Sequence, residues 1–347
     1  MAGVRAIASP SAATRRHAVA EWLRARGSDQ ELVIVGATYD AALDATRDVV
    51  AELGASFGWK RCTLLRLAGE LATPSLVNAG RATVAPLAAE AVCARIVHRL
   101  GASEGLGRFE PLREMPGLPR ALARTFEELR LTGIVELSAA DPELDHDLGA
   151  LFAEYAEELR SQKLADRSDV FVLATEAART ASPMPHVFVD VPLRFSREAD
   201  LVAALAARSD VFITVATGDE RTLAALHAIG ASIEVAVADG PLKRVQSALF
   251  AEQVDETRGS GKLAVTSAPG ESRECVEIAR AIFAHAEKGV RLDRMAVLLR
   301  APQAYRAHVE EALRRAKIPA YFARGSTRPD PSGRAMLALL ACASEKL

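Results

Sequence analysis

The residues that could do chemistry stand at the ends of short apolar runs. In "HVFVDVP" (186–192) an aspartate, Asp190, follows four apolar or aromatic positions, and a carboxylate so placed can hold Mg²⁺ on a nucleotide. The bland alternative is a cap on the following turn. In "VATGDERTLAAL" (215–226) a Gly-Asp pair opens a helical pattern, and Asp219 reads as its N-cap. In "LVIVGATYDAALDATRDVV" (32–50) an apolar run ends in Gly36, and Thr38 or Asp40 can cap the helix behind it. That is the outline of a phosphate loop, whose frame G-x-x-x-x-G-K-[ST] places a lysine on the phosphates and a hydroxyl on Mg²⁺. Counted from Gly36, the lysine position is Ala42 and the hydroxyl position is Leu43. Asp40 would repel a phosphate. The helix end attracts an anion weakly at most, and the stretch reads as a structural strand, loop and helix. "GSGK" (259–262) is a decoy, because a leucine follows the lysine and a strand pattern, not a helix, comes next. Arg300 ends the apolar run "MAVLLR" (295–300), where a guanidinium can meet a phosphate or a partner domain.

These positions need a scaffold of alternating strands and helices. Short β-branched runs at 32–36, 186–191, 210–216, 232–237, 262–268 and 295–300 read as buried parallel strands, with a shorter one at 318–323. Helical patterns at 41–53, 197–208, 219–229, 271–287 and 302–316 separate them, which predicts an α/β protein whose parallel sheets are covered by helices. Residues 86–181 break the alternation and read as helical. Within them Leu144, Leu148, Leu151, Tyr155 and Leu159 recur at helical spacing behind an Asp141–Pro142 start. The expected domains are therefore 1–254, carrying this insertion, a hinge at 255–261 ("DETRGSG"), and 262–347. The final "GRAMLALLACASEKL" ends inside a helical pattern and reads as a truncation.

Composition sets the outer bounds. The 347 residues are half hydrophobic, with a formal net charge of -2, so the whole chain has no electrostatic pull toward nucleic acid or membrane. From Arg291 to Arg334, however, ten Lys/Arg face four Asp/Glu, a local charge of +6. A polyanion would sit at that end; solvated helix faces explain the same charges. The four cysteines form no C-x-x-C, which argues against a zinc or disulfide framework and fits a reducing cytoplasm. No run approaches the ~18 apolar residues of a membrane span.

Together the motifs resemble superfamily-1 helicases of the UvrD/RecB type, and most closely the AddB-like subunit of bacterial helicase–nuclease complexes, the PD-(D/E)XK nuclease family proteins. "ESRECVEIARAIFAHAEKGVRLDRMAVLLRAPQAYRAHVEEALRRAKIPAYFARG" looks like the start of the second RecA-like domain of such a protein. "TGDERTLAAL" resembles the helicase Gly-Asp-x-x-Gln motif with Thr222 at the glutamine. "VFVDV" resembles the Asp-Glu motif with Val191 at the glutamate. "EELRLTG" and "KLADRSDVFVLATEA" resemble the family's helical insertion.

The resemblance implies a RecA-like first domain with a helical insertion, then the start of a second RecA-like domain. It implies a degenerate nucleotide site drawn from Gly36, Thr38, Asp190, Asp219 and Arg300, the last matching the arginine that reaches nucleotide phosphates. It assigns no catalytic residue and no metal ligand to this chain; ATP with Mg²⁺, and an iron–sulfur cluster outside these residues, belong to the family. The implied role is to bind single-stranded DNA or duplex ends during double-strand break repair and to dock an AddA-like motor subunit, with no membrane partner. By position, Arg300, Arg324 and Arg328 would touch DNA. An active but divergent DNA helicase and an unrelated α/β nucleotide-binding enzyme are the competing readings.

Overall fold

A computed structural model of the chain describes residues 3–103, 105–137, 142–237, 263–322 and 331–345. The chain divides into two compact units, Met1–Gly261 and Lys262–Leu347. The first is built on a six-stranded sheet of order β3-β2-β6-β7-β1-β8, in which every pairing is parallel. Its strands are β1 (Gly3–Ala8), β2 (Leu32–Gly36), β3 (Trp59–Thr63), β6 (His186–Val189), β7 (Asp210–Val215) and β8 (Ser232–Val235).

The apolar runs of β2, β6 and β7 become strands because both of their faces are covered. In β2 all five residues are buried. Leu32 and Ile34 enter one core with Val187 and Val189 of β6. Val33 and Val35 enter the other with Phe188, Val211 and Ile213. The period-two alternation of side chains thus divides each strand between two apolar layers. Helices α1 (Ala12–Arg24) and α2 (Tyr39–Leu53) cover the first face, through Val19, Leu23, Ala42 and Val49. On the second face lie α3 (Leu64–Asn78), α7 (Arg167–Thr180), α8 (Ser196–Ala206) and α9 (Glu220–Ala228).

Between α3 and α7 the helices α4 (Pro86–Ser103), α5 (Gly117–Leu131) and α6 (Pro142–Ser161) gather their own core. Phe126 sits at its centre, with ring centroids 5.3 Å from both Phe152 and Tyr155. Leu151, Tyr155 and Leu159 are buried there as their spacing requires; Asp141 and the Leu144 side chain lie outside the described residues. The insertion is narrower than 86–181. Strands β4 (Ala82–Thr83) and β5 (Leu164–Ala165) pair across its base. Beyond them α7 packs Phe171, Ala174 and Ala178 into the sheet layer.

Besides the short β4 and β5, two strands of the main sheet were absent from the sequence reading, and β8, expected to be buried, is an edge strand that is largely exposed. β1 is interior, between β7 and β8, although "GVRAIA" carries an arginine; Arg5 escapes burial by reaching Asp210 at 3.2 Å. β3, "WKRCT", is a polar edge strand. The reverse holds in the second unit, where the expected strands at 262–268, 295–300 and 318–323 are not formed among their described residues. Among its described residues that unit holds α10 (Glu271–Glu287), α11 (Pro302–Arg315) and α12 (Pro331–Glu345), with a 3₁₀ turn at Leu292–Arg294. α10 and α11 share a small core of Cys275, Ala279, Val309, Ala312, Leu313 and Ile318. Val265, Leu298 and Tyr321, which a sheet would bury, stand in solvent. The hinge residues 255–261 are outside the described set.

Candidate functional site

In a parallel sheet the crevice for a ligand opens where neighbouring strands send their following loops to opposite faces. Such pairs here are β3 and β2, β2 and β6, and β7 and β1, and the last lies beside the Asp190 carboxylate. The chain leaving β1 enters α1 on one face, and the chain leaving β7 enters α9 on the other. The candidate site is therefore made by the β1–α1 loop together with the ends of β6 and β7.

The sequence Ser9-Pro10-Ser11 turns the chain from strand to helix. Ser11 is the N-cap of α1 and accepts from the Thr14 amide at 3.4 Å, while its own amide donates to Ser9 Oγ at 3.3 Å. One turn into the helix, Arg15 points back across the strand ends. Its Nε donates to Asp190 Oδ1 at 2.7 Å, its Nη2 to Asp190 Oδ2 at 3.1 Å, and its Nη1 to the Ser9 carbonyl at 2.5 Å. The geometry is bidentate, the strongest form of this pair. Thr214, on β7, donates from its hydroxyl to Asp190 Oδ1 at 2.9 Å and accepts from the Asp190 amide at 3.1 Å. Asp190 itself is held at φ +50°, the left-handed region that Asp tolerates better than most residues. The Arg15 side chain is 10% exposed and that of Asp190 40%, so the pair is closed from below and open to solvent above.

Asp219 serves α9. It accepts from the Thr222 amide at 3.1 Å and from the Thr222 hydroxyl at 2.7 Å. The same hydroxyl accepts from the Leu193 amide at 2.9 Å, fastening the loop after β6 to α9. At the end of β2, Thr38 caps α2 by accepting from the Ala41 amide at 3.1 Å. A Cβ at Gly36 would lie 2.5 Å from the Thr38 carbonyl oxygen and 2.6 Å from the Ala42 amide. Close approach of the helix start accounts for this glycine without a phosphate.

Gly36 and Asp190 thus end neighbouring strands, since Gly36 pairs with Val189, yet each is committed to local structure. Arg300 is exposed ahead of α11 in the second unit. Arg324 and Arg328 lie outside the described residues. The residues that sequence reasoning missed are Ser9, Arg15 and Thr214. The signal for Ser9 and Arg15 was present in "AIASPSAATRR", an apolar run followed by Ser-Pro-Ser and a helical pattern, but the arginine in "GVRAIA" obscured the strand; Thr214 lay unmarked inside "DVFITV".

Magnesium–ATP does not fit this arrangement. The carboxylate that ends β6 is already engaged by a guanidinium, and that arginine is anchored at three points across the crevice. Cys62, Cys93 and Cys275 are buried in three different cores. Among the described residues no three His, Cys, Asp or Glu side chains converge as a metal set.

The fold and the crevice define a parallel, doubly wound α/β protein with an interior first strand and a polar clasp at a switch point. No protein-family model matches the chain, and no curated protein is significantly similar to it. Among the described residues no helix is long and apolar enough to cross a membrane.

Proposed function

We propose that this chain is the helicase-like part of an AddB-type subunit, a RecA-like scaffold that binds DNA ends and does not turn over ATP. The observation that carries the reading is the Arg15–Asp190 clasp. A working site of this kind needs a free carboxylate for Mg²⁺ and a lysine on the phosphates. Here the first is consumed and the second is replaced by the arginine that consumes it. The strand order supports the RecA-like reading, in which the phosphate loop follows the interior first strand and the metal carboxylate ends a strand two places away. Asp219 and Thr222, tied into the loop after β6, support a motif retained for architecture after its chemistry was lost.

DNA contact in this reading falls to arginines of the second unit, Arg300, Arg324 and Arg328 among them, with an AddA-like subunit supplying the motor. Such contact is phosphate neutralisation and weakens steeply with salt. The test pairs two titrations on the full chain. Calorimetry with magnesium–ATP should give no binding up to about 1 mM, and a fluorescent oligo-dT strand should bind at low salt and release as salt rises. Failure to bind DNA at low salt ends the scaffold reading. ATP turnover that disappears in Asp190→Ala replaces it with a divergent motor.

A further inference from the structure

Where the helical insertion meets the sheet layer, α3, α4, α5 and α7 wall a cleft of about 490 Å³ above the β4–β5 pair, and α6 contributes Tyr155 to its lining. That volume lies within the ~300–1,000 Å³ of small-molecule sites. Ala123, Ala165 and Val170, buried beside Tyr155, make the floor apolar. We propose that this cleft binds a small, uncharged, largely apolar molecule that presents a single acceptor oxygen, such as a ring ketone, to the Tyr155 hydroxyl. The proposal is independent of the helicase-like reading.

Three observations carry it. The first is that hydroxyl. The Tyr155 ring packs on Phe126 and the residue is 1% exposed, yet its O–H has no hydrogen-bond partner among the described residues. Nor is it one of the orphaned polar atoms sealed from solvent, which include the indole N–H groups of Trp22 and Trp59. The small opening that Tyr155 keeps is therefore at its hydroxyl, and the space it lines is the cleft. Such an opening admits one oxygen atom at hydrogen-bond distance, and a buried phenol without a partner is costly. Burial, with the Asp166 carboxylate nearby, pushes the phenol pKa up, so the group keeps its proton and acts as a donor.

The second observation is the balance of charge around the cleft. Glu90 faces Arg120 at 3.4 Å, Arg124 faces Glu128 at 3.2 Å, and Asp166 is held by Arg130 at 2.6 Å. Arg167 is shared by Glu198 at 2.7 Å and Glu127 at 4.0 Å. With each of these charges matched, an acid or an amine would lose its hydration without gaining a counter-ion. The third is Gly69, which lines the cleft from the interior of α3. A Cβ added there meets nothing within 4 Å, and glycine within a helix costs about 1 kcal/mol relative to alanine. What its missing side chain provides is room in the cleft.

The test titrates 1-indanone, its parent hydrocarbon indane, and the charged indane-1-carboxylate and 1-aminoindane into the full chain by calorimetry. Indanone should bind at one site per chain with a Kd below about 1 mM. Indane, which lacks the acceptor, should bind about fivefold weaker, and both charged forms about tenfold or more weaker. Tyr155→Phe should bring indanone down to the affinity of indane and leave indane unchanged. Its melting temperature should be no lower than that of the unsubstituted chain, because the hydroxyl it removes has no partner. Gly69→Leu should weaken indanone about tenfold or more while leaving the melting temperature unchanged or raised, because leucine is the better helix former. Several results would each overturn the proposal: no binding at about 1 mM indanone, indane or a charged form binding as well as the ketone, unchanged indanone binding in either variant, or a lower melting temperature in Tyr155→Phe.

Discussion

Arg15 and Asp190 are worth more as a pair than either is alone. An ion pair that is half withdrawn from water contributes little net stability when present, yet removing one partner strands the other charge. Asp190→Asn keeps a side chain that tolerates the left-handed backbone while deleting the charge. It should cost about 2 kcal/mol in urea-unfolding free energy, less than a fully buried pair because the carboxylate is part-exposed. The double variant with Arg15→Met should lose no more than the single one. His186 makes a second prediction at this scale. Burial at the start of β6 lowers its pKa from 6.5 to about 4. Its imidazole is therefore neutral in the folded chain but takes up a proton in the unfolded chain below about pH 6.5. Stability should fall by about 3 kcal/mol as pH drops from about 6.5 to 4 and level off below that on this group's account. His186→Leu should remove that part of the slope in pH-dependent unfolding curves, leaving the carboxylate losses at lower pH.

Among the elements, legibility in the sequence followed burial. Strands β2, β6 and β7 are mostly apolar because both faces are covered, and they were readable for that reason. β1 was hidden by Arg5, whose guanidinium leaves the core toward Asp210, and β3 by the charges an edge strand can carry into water. Helices α2, α8, α9, α10 and α11 were legible from their apolar spacing and from their caps. Apolar alternation misled in the second unit, where Leu263, Val265, Val297 and Leu298 have the composition of strands but are solvent-exposed. A strand needs a neighbour as well as a sequence, and composition does not reveal whether the neighbour is there. The site suffered from the same gap. Asp190 was visible as a carboxylate ending an apolar run, but its partner lies 175 residues away on a helix whose preceding strand went unread.

At the scale of the molecule the two units differ greatly in apolar core. Among the described residues the first holds three buried clusters spanning a sheet and its helices, and the second a single cluster of six buried residues. Both tryptophans, Trp22 and Trp59, are buried in the first unit. Tryptophan emission therefore follows that unit alone, while far-ultraviolet circular dichroism follows helices in both. In a urea titration the dichroism signal should begin to fall at lower urea than the emission shifts, so the two curves should not superimpose. Coincident curves would mean that the units unfold as one. Leu313→Ala, in the smaller core, should move only the earlier change, by about 2–3 kcal/mol.

The place of β1 in the sheet also bears on how the protein is made. Gly3–Ala8 leaves the ribosome well before its partners, Asp210–Val215 and Ser232–Val235. At about 5–20 residues per second, some 10–40 s of translation pass before even the nearer partner exists. Throughout that interval a short apolar strand and its serine turn wait unpaired, and the clasp that closes the crevice cannot form until the sheet itself is nearly finished.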